Sequence, residues 1–426
     1  MSLSIYGEVA IDWLVSQNGS ITYRIGGAGL YAALSVASIG KKSELLTVLG
    51  PDINEYFISV WSDIGVSFQY TKKDDNYNIP RYLVTGFENY CKKLSRPMAN
   101  IKNNNSYSPK LPQESEGILL FPINHSIPKD ICIEAKRNNK LVFLDPKPNQ
   151  ESIEDAIRLL EYVDVLLVNE EEILLVSSKK DVVEAIQALH ELGPKHIIVK
   201  RGVRGSIIAE RGKELIIVPS YKSNAICTLG SGDVFGGALA ATFIETGDME
   251  YSVKFASCMA ACFIENFEIE SMPSKKAVEY YLKNKETHDY SSLKNLVVYL
   301  AAPFFCQQEL SWVSYIHQSL ESCGLIILSP SKENGIINAD TTIVDRKSIF
   351  NLDLELIDRA DIVVALLDHN DTGTSFEIGY AFSKGKPVIG LKTFEVELNN
   401  MLEYGCNSIC FSVDKLISEV FTYAKK

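Results

Sequence analysis

Two short segments of the sequence combine carboxylates with glycines in patterns that can do chemistry. Gly230-Ser-Gly-Asp233 opens a helix-like run, so its backbone amides can bind an anion while the aspartate accepts a proton from a hydroxyl that attacks a phosphate. Asp371-Thr-Gly-Thr-Ser-Phe-Glu377 follows an apolar, strand-like run and places a carboxylate at a helix start, where open α/β sheets bind ligands. Taken singly, each segment is also explained by an ordinary acid in the first turn of a helix.

Strand-like and helix-like stretches alternate along almost the whole chain, which is typical of α/β domains with largely parallel sheets. The patterns predict a buried helix at 29–39 and, among others, strands at 140–145, 163–169 and 196–200. Each of these strands ends in polar or charged residues, as expected where strands deliver side chains to a site.

A polar stretch near 284–295 has no apolar period and predicts a linker. We therefore expect one domain over residues 1–285, a linker over 286–295 and a second domain over 296–426.

Composition narrows the class of protein. Of the 426 residues 46% are hydrophobic, and the net charge is −12, which argues against non-specific binding to nucleic acids or anionic membranes. Nine cysteines lie scattered without CxxC pairs, and the six histidines make no metal-binding pattern. With no secretory signal pattern and no apolar run near the ~20 residues that cross a bilayer, we expect a cytoplasmic protein with small-molecule substrates.

Residues 1–285 resemble the ribokinase-like (pfkB) family of sugar and nucleoside kinases. Five motifs in family order carry the resemblance: Gly7-Glu-Val-Ala-Ile-Asp12, Gly26-Gly27-Ala-Gly-Leu-Tyr-Ala-Ala, Asn169-Glu-Glu-Glu172, Lys200-Arg-Gly202-Val-Arg-Gly205 and Gly230-Ser-Gly-Asp233. The resemblance implies an α/β, three-layer domain with a small β lid. It also implies phosphorylation of a sugar or nucleoside hydroxyl with ATP and Mg²⁺ as cofactors.

The resemblance also implies roles for the motif residues. Asp233 falls on the catalytic base, and Glu172 on the acid that organises magnesium through water. Substrate binding falls on Asp12, Gly26 and Gly27. The anion hole falls on Gly230, Ser231 and Gly232. Cofactor binding falls on Asn169, Glu172, Lys200, Gly202 and Gly205.

Several features depart from the family pattern or stay open. Cys227 stands where an aspartate commonly helps shape a monovalent-cation site, and Tyr31 stands where asparagine is common. The short stretch between Asp12 and Gly26 predicts a small lid. The segment 145–149, Asp-Pro-Lys-Pro-Asn, either lines the kinase cleft or forms a proline-rich turn.

Residues 296–426 resemble nucleoside 2-deoxyribosyltransferases. The resemblance implies a smaller, flavodoxin/Rossmann-like α/β domain that cleaves an N-glycosidic bond through a covalent glutamyl intermediate. Glu377 falls on the nucleophile, Tyr299 on the tyrosine that orients it, and Asp353 on the acid that assists proton delivery to the base.

Two further residues bear on substrate and assembly. Asp371 falls on the acid that binds sugar hydroxyls and would repel a 5′-phosphate, which favours free nucleosides. Asn400 falls on the asparagine that reaches a neighbouring subunit's sugar, so the resemblance implies a homo-oligomer with a shared C-terminal site.

The leading hypothesis is a bifunctional enzyme of nucleoside metabolism. The alternative is a nucleotide- or NAD-cleaving glycosidase whose kinase-like domain senses a ligand without turnover, which Cys227 and the short lid motivate. The separate acids also have plain structural explanations, because Glu377 can be a first-turn helix acid, Tyr299 a core residue and Asp353 part of a solvated helix face.

Overall fold

The computed structural model describes residues 2–15, 21–85, 96–97, 107–123, 125–148, 152–224, 227–266, 268–288, 296–304, 307–321, 323–333, 343–368, 371–393 and 397–424. These residues form two compact units, one of residues up to 287 and one of residues from 288 onward. Most of the predicted linker, 289–295, lies outside the described residues, and the limits of the domains stay a prediction.

The first unit alternates strands and helices in the way that the sequence predicts. Its strands are β1 (Ser2–Tyr6), β2 (Ala10–Val15), β3 (Ile21–Gly26), β4 (Lys42–Leu46), β5 (Val48–Leu49), β6 (Val66–Ser67), β7 (Lys72–Lys73), β8 (Arg81–Thr85), β9 (Arg96–Pro97), β10 (Gly117–Leu120), β11 (Leu141–Leu144), β12 (Val165–Asn169), β13 (His196–Lys200), β14 (Ser206–Glu210) and β15 (Ile216–Val218). Its helices are α1 (Ala28–Ser38), α2 (Glu55–Ile64), α3 (Lys129–Arg137), α4 (Ile153–Leu159), α5 (Glu170–Ser177), α6 (Val182–Glu191), α7 (Ser231–Thr246), α8 (Met249–Phe263) and α9 (Lys275–Asn284), with 3₁₀ turns at Leu160–Tyr162 and Gly202–Arg204.

A nine-stranded sheet in the order β15-β14-β13-β12-β11-β10-β1-β4-β6 forms the centre of this unit. Its strands from β13 to β6 pair in parallel, whereas β14 and β15 are antiparallel. Alternate residues of β10 enter different cores: Leu119 packs on the face that α1, α7 and α8 cover, and Ile118 and Leu120 pack on the face of α3, α5 and α6. Helices on both faces of one sheet make three layers.

A second, four-stranded sheet in the order β3-β2-β8-β9 belongs to the same unit. Strands β2 and β3 form an antiparallel hairpin, and β8 adds to β2 in parallel. This is the lid that the family resemblance implies, and β8 and β9 extend it beyond the short stretch between Asp12 and Gly26. The polar sequence around Asn103-Asn-Asn-Ser predicts a mobile loop, and these residues lie outside the described ones.

Helices α1 and α7 are buried almost throughout and pack very closely. A Cβ atom added to Gly237 of α7 would lie 2.3 Å from Ser35 Oγ and 2.5 Å from the carbonyl oxygen of Ala32. The glycine therefore sets the distance between the two helices, and with it the position of the N-terminus of α7.

The second unit is a smaller α/β layer structure. Its strands are β16 (Val297–Ala301), β17 (Ile326–Leu328), β18 (Ile362–Leu366), β19 (Val388–Leu391) and β20 (Ser408–Cys410). Its helices are α10 (Gln307–Glu321), α11 (Pro330–Glu333), α12 (Ile343–Arg359), α13 (Thr372–Ser383), α14 (Asn400–Gly405) and α15 (Val413–Ala424).

All five strands of this sheet are parallel, in the order β17-β16-β18-β19-β20. This is the doubly wound order 2-1-3-4-5 of flavodoxin-like sheets, whose switch point lies between the first and third strands. The crevice at the carboxyl ends of β16 and β18 is therefore where this fold binds ligands.

The part of the chain that the structure describes contains neither a membrane-spanning helix nor a cluster of metal-binding side chains. No helix there is long and apolar enough to cross a bilayer. No group of three or more histidine, cysteine, aspartate or glutamate side chains there is arranged to hold a metal ion.

Candidate active sites

The first site lies where the parallel strands of the nine-stranded sheet end. The register pairs Asn169, the last residue of β12, with Lys200, the last residue of β13, and Asp145 follows β11 directly. Glu8 follows β1 by two residues. Because parallel strands end at one edge, the sheet gathers these polar side chains together.

Asp233 lies in the first turn of α7 and its side chain is buried. Gly230, which caps this helix, has φ 84°, a conformation that a residue with a Cβ rarely adopts, and accepts a 3.0 Å hydrogen bond from the Asp233 amide. The Lys147 ammonium donates a hydrogen bond to the Asp233 carboxylate. The segment after β11 therefore lines the cleft, which is one of the two roles that its sequence allows.

Lys147 stays cationic in this position. Burial lowers the pKa of its ammonium, but the carboxylates of Asp233 and Asp145 outweigh burial and raise the pKa above its ordinary value. The residue also has φ 40°, an unusual conformation for a side chain with a Cβ. Sequence reasoning did not single out this lysine; its place just beyond a strand end was the available signal.

Asn169 and Glu172 hold each other in a capping box at the start of α5. The Asn169 side chain accepts from the Glu172 amide at 2.8 Å, and the Glu172 carboxylate accepts from the Asn169 amide at 2.8 Å. Burial and the neighbouring Asp145 raise the pKa of Glu172, while Lys200 opposes them. The motif thus builds a helix start and brings a second carboxylate close to Asp145.

The predicted nucleotide turn is compact. The Lys200 ammonium donates a hydrogen bond to Asp145 Oδ2 at 2.5 Å, which holds this side chain at the carboxyl edge of the sheet. The turn that follows closes through a 2.8 Å hydrogen bond from the Arg201 amide to the carbonyl oxygen of Gly205, with Gly202 at φ 57° and Gly205 at φ 80°. The glycines are needed for these conformations whether or not a nucleotide lies above them.

The predicted acceptor end of the site is centred on Asp12. Tyr31 Oη donates to its buried carboxylate at 3.2 Å. A Cβ added to Gly26 would lie 2.4 Å from Tyr31 Oη, and one added to Gly27 would lie 2.5 Å from the carbonyl oxygen of Glu8. The double glycine is therefore required by close approach.

A carboxyl group that the sequence did not single out faces the same region. Glu8 Oε1 accepts a 2.8 Å hydrogen bond from Tyr82, which lies on lid strand β8. Burial raises the pKa of Glu8 to about 7; the Tyr82 and Lys147 contacts lower it, and Asp12 and Asp233 add to the rise. Glu8 belongs to the first family motif, but nothing in the sequence indicated its partner 74 residues away.

The second site lies at the switch point of the smaller sheet. Tyr299 of β16 is fully buried and donates to Glu377 Oε1 of α13 at 2.7 Å. Burial raises the pKa of Glu377 to about 8; the Tyr299 hydrogen bond opposes this, and Asp353 and Asp371 add to it. The pair brings together the two residues that the resemblance makes nucleophile and orienting phenol.

Asp353 and Asp371 approach Glu377 from different elements. Asp353 lies on α12, and its charge raises the pKa of both Glu377 and Tyr299. Asp371 caps α13, where its Oδ2 accepts from the amide of Thr374 at 2.6 Å and from its hydroxyl at 2.9 Å. The carboxylates of Asp353 and Asp371 therefore both act on Glu377, which lies in the second turn of α13 and not in its first.

Asn400 is the first residue of α14 and is exposed. The neighbouring Asn399, not Asn400, caps this short helix, through a 2.9 Å hydrogen bond from the Met401 amide. The Asn400 side chain therefore has no capping role, and its contact with a second subunit stays a prediction.

Comparison with known protein families shows which family the chain belongs to. The family model described as pfkB family carbohydrate kinase matches residues 2–275. The chain belongs to the pfkB carbohydrate kinase family. A second model, described as nucleoside 2-deoxyribosyltransferase, matches residues 298–414. The enzyme is thus a pfkB kinase fused to a nucleoside 2-deoxyribosyltransferase-like domain, as the sequence predicts.

Individual relatives agree with this division. The pfkB segment is 23% identical over 274 residues to "Cytidine kinase" of Thermococcus kodakarensis, which covers 60% of this chain and 92% of the relative. The C-terminal segment is 34% identical over 95 residues to "Putative 2'-deoxynucleoside 5'-phosphate N-hydrolase 1" of Thermofilum pendens, covering 22% of this chain and 66% of the relative.

A solved structure shows the pfkB fold. A fructokinase double mutant of Vibrio cholerae O395, bound to fructose, ADP and potassium ion, superposes with a TM-score of 0.59 at 19% identity, over 66% of this chain and 98% of that one. This likeness confirms the ribokinase-like fold that the sequence predicts.

Proposed function

We propose that this chain is a bifunctional enzyme of nucleoside metabolism. The pfkB domain phosphorylates a sugar or nucleoside hydroxyl with Mg-ATP, and the C-terminal domain cleaves an N-glycosidic bond and transfers a 2-deoxyribosyl group to a base or to water. The observation that carries the second activity is the 2.7 Å hydrogen bond from Tyr299 to Glu377 at the sheet's switch point.

In the glycosyl transfer, a carboxylate oxygen of Glu377 attacks C1′ of the nucleoside. The C1′–N bond breaks, its electron pair leaves with the base, and the base takes up a proton that Asp353 helps to deliver. Base or water then attacks C1′ and gives up a proton to Asp353, while the C1′–O bond to Glu377 breaks and releases the carboxylate. Tyr299 holds Oε1, which leaves Oε2 to form the ester, and Asp371 receives the sugar hydroxyls.

In the phosphoryl transfer, Asp233 accepts the proton of the attacking hydroxyl while Asp12 binds the acceptor. The amides of Gly230 and Gly232 would face the transferred phosphoryl group, whereas the Ser231 amide, the third predicted donor, donates to the carbonyl oxygen of Thr228 at 3.2 Å. Lys147 contacts Asp233 directly, so its charge lies beside the reacting atoms and balances the negative charge that gathers there.

The residues near Asp145 fit a magnesium ion. Among the described residues, Asp145 Oδ1 is buried without a hydrogen-bond partner, and burial and Asp145 raise the pKa of Glu172. A buried carboxylate oxygen that lacks a donor, close to a second carboxylate, suits a hard divalent cation. Asp145 and Glu172, the latter through water, would hold Mg²⁺, which when bound neutralises charge on the nucleotide phosphates. Lys200, Gly202 and Gly205 would lie below the nucleotide.

One observation favours a second candidate substrate for the C-terminal site. The Thermofilum relative is named for 2′-deoxynucleoside 5′-phosphates, whereas Asp371 would repel a 5′-phosphate. We favour free nucleosides, because Asp371 caps α13 and is close enough to Glu377 for its charge to raise the pKa of that carboxyl group.

Product analysis by mass spectrometry tests both activities. The protein is incubated with deoxynucleosides, their 5′-phosphates or NAD, with and without a second base and with and without Mg-ATP. We expect base exchange or base release without ATP, and a phosphorylated sugar or nucleoside only with Mg-ATP. Cleavage of nucleotides but not nucleosides would reverse the assignment of Asp371, and the absence of any phosphorylated product would favour the ligand-sensor alternative for the pfkB domain.

A further inference from the structure

A buried guanidinium reaches the loop that leads into the anion hole. Arg24 lies on lid strand β3, and only 7% of the residue is exposed. Its Nη2 donates to the carbonyl oxygen of Leu229 at 3.3 Å and to Cys227 Sγ at 3.5 Å. One side chain thus joins the lid sheet to a loop more than 200 residues further along the chain.

The surroundings of Arg24 keep its charge and its position. Its guanidinium carbon lies 5.5 Å from the centre of the Tyr31 ring, a distance suited to a cation–π contact. The backbone of Arg24 pairs with that of Asp12 in the β2–β3 hairpin. Burial lowers the pKa of the guanidinium, but Tyr31, Cys227 and Asp12 outweigh burial and raise it.

The contact with Leu229 bears on the anion hole through one peptide unit. In a trans peptide the C=O and the following N–H point in opposite directions. Fixing the Leu229 carbonyl on Arg24 therefore fixes the direction of the Gly230 amide, which opens the anion hole. The same loop is held at its start by a 3.2 Å hydrogen bond from the Cys227 amide to the carbonyl oxygen of Ile264.

The family resemblance implies a monovalent-cation site that an aspartate at the position of Cys227 commonly helps to shape, and the Vibrio fructokinase structure contains potassium ion. The residues of this chain do not fit such an ion. Potassium is bound by oxygen ligands, and Cys227 offers a buried sulfur in place of the usual carboxylate. The Leu229 carbonyl, a possible oxygen ligand, already accepts from the Arg24 guanidinium.

We propose that Arg24 is a positioning residue that supplies a built-in positive charge beneath the anion hole, so that this enzyme transfers phosphate without a monovalent cation. The inference rests on the proposed kinase activity. Arg24 acts through the Leu229 peptide and makes no contact with the reacting atoms in this assignment.

The first test measures ADP formation at constant ionic strength in potassium, sodium or choline chloride. The wild-type rates should agree within about twofold, because the charge at the loop is covalently attached. Activation of the wild-type enzyme by potassium of ~10-fold or more over choline would overturn the proposal.

Variants separate positioning from folding. Arg24→Ala should lower kcat ~10-fold or more with a smaller change in KM for the acceptor, and Arg24→Lys should restore part of kcat, since a cation is retained. The double variant Arg24→Ala with Cys227→Asp should regain rate in potassium but not in choline. An Arg24→Ala enzyme with wild-type kcat, or a double variant indifferent to potassium, would contradict the assignment.

A binding measurement keeps this test independent of turnover. The shift in unfolding temperature that ADP causes is measured in potassium and in choline chloride. If no acceptor is phosphorylated in any salt, the proposed kinase activity fails, but the ADP shift still reports on the loop. An equal shift in both salts that Arg24→Ala reduces would support the built-in charge, and a shift that appears only in potassium would overturn it.

Discussion

Lys147 shows how a single side chain can balance the carboxylate that we propose as the catalytic base. Its ammonium contacts Asp233, lies near Asp145 and lies over the Phe121 ring at 5.5 Å from the ring centre. The ion pair keeps two opposite charges together in a partly buried cleft. Its removal would leave Asp233 without its partner where phosphate charge arrives.

Lys147→Met should lower kcat for phosphorylation by ~10²-fold, because it removes the positive charge beside the transferred group. Base release by the C-terminal site should not change. The measurement is ADP formation against base release in the same preparation, with Lys129→Met as control, since Lys129 forms an exposed ion pair with Glu161. Equal losses in both variants would show that Lys147 has no special part in the reaction.

The Tyr299–Glu377 pair should make the proposed glycosyl transfer depend on pH. The pKa of Glu377 is raised to about 8, and the ionised form is the nucleophile, so kcat/KM for base release should rise with pH through about 8. The Tyr299 hydrogen bond lowers this pKa. Tyr299→Phe should therefore shift the rise to higher pH and reduce kcat/KM at pH 7 by ~10–100-fold.

The matched control is Tyr380→Phe. Tyr380 lies on α13, the helix that carries Glu377, and its exposed hydroxyl donates to Asp358 of α12 at 3.1 Å. This substitution should leave the pH profile unchanged. A Tyr299→Phe profile that overlays the wild type would show that the phenol does not set the ionisation of Glu377.

At the scale of elements, α7 positions the anion hole because α1 holds it in place. Gly237 allows the two helices to approach, while the adjacent Gly236 has room: a Cβ there would lie 3.4 Å from Leu167 Cδ1, an ordinary contact. A side chain with a Cβ would therefore fit at Gly236 but would collide with α1 at Gly237.

Gly237→Ala should lower the unfolding temperature of the pfkB domain by ~3 °C or more relative to Gly236→Ala, because its methyl group collides with Ser35 and the Ala32 carbonyl. Scanning calorimetry of the two variants checks this. Gly236→Ala gains helix propensity of up to ~1 kcal/mol and serves as control. The same stability in both would mean that the helices separate at no cost.

The sequence predicted the elements of the main sheet well, because buried parallel strands are short apolar runs that end in polar residues, such as 196–200. It also placed Asn169 at the end of a strand and grouped it with Glu172 in one motif, and the structure shows that the two form a capping box. It did not find Lys147 opposite Asp233 or Tyr82 opposite Glu8. Those pairs join segments 86 and 74 residues apart, and periodicity carries no information on such contacts.

The second site was easier to find from sequence than the first. Tyr299 and Glu377 belong to elements beside the switch point, so the strand order alone brings them together. Arg24 was missed because its partners, Cys227 and Leu229, belong to another sheet's loop. Its role depends on lid packing, which no local pattern reports.

For the whole molecule, the two activities should be separable by isosteric changes. Glu377→Gln should abolish base release and leave phosphorylation within ~2-fold, while Asp233→Asn should do the reverse, since each change removes one reacting carboxylate and keeps its volume. Both activities are measured on each variant and on the double variant. Loss of both in either single variant would show that one site feeds the other.

The hydrogen bond between Glu8 and Tyr82 has a consequence for substrate choice. With a pKa near 7, the Glu8 carboxyl offers a donor below neutrality and only acceptors above it. Within about one pH unit of neutrality, the acceptor pocket therefore changes from offering a hydrogen-bond donor at Glu8 to offering only acceptors there. Substrates that present hydroxyl donors should have a lower KM at pH 8 than at pH 6, and Glu8→Gln should remove that trend. Acidity itself would then select among the alcohols that the proposed kinase activity accepts.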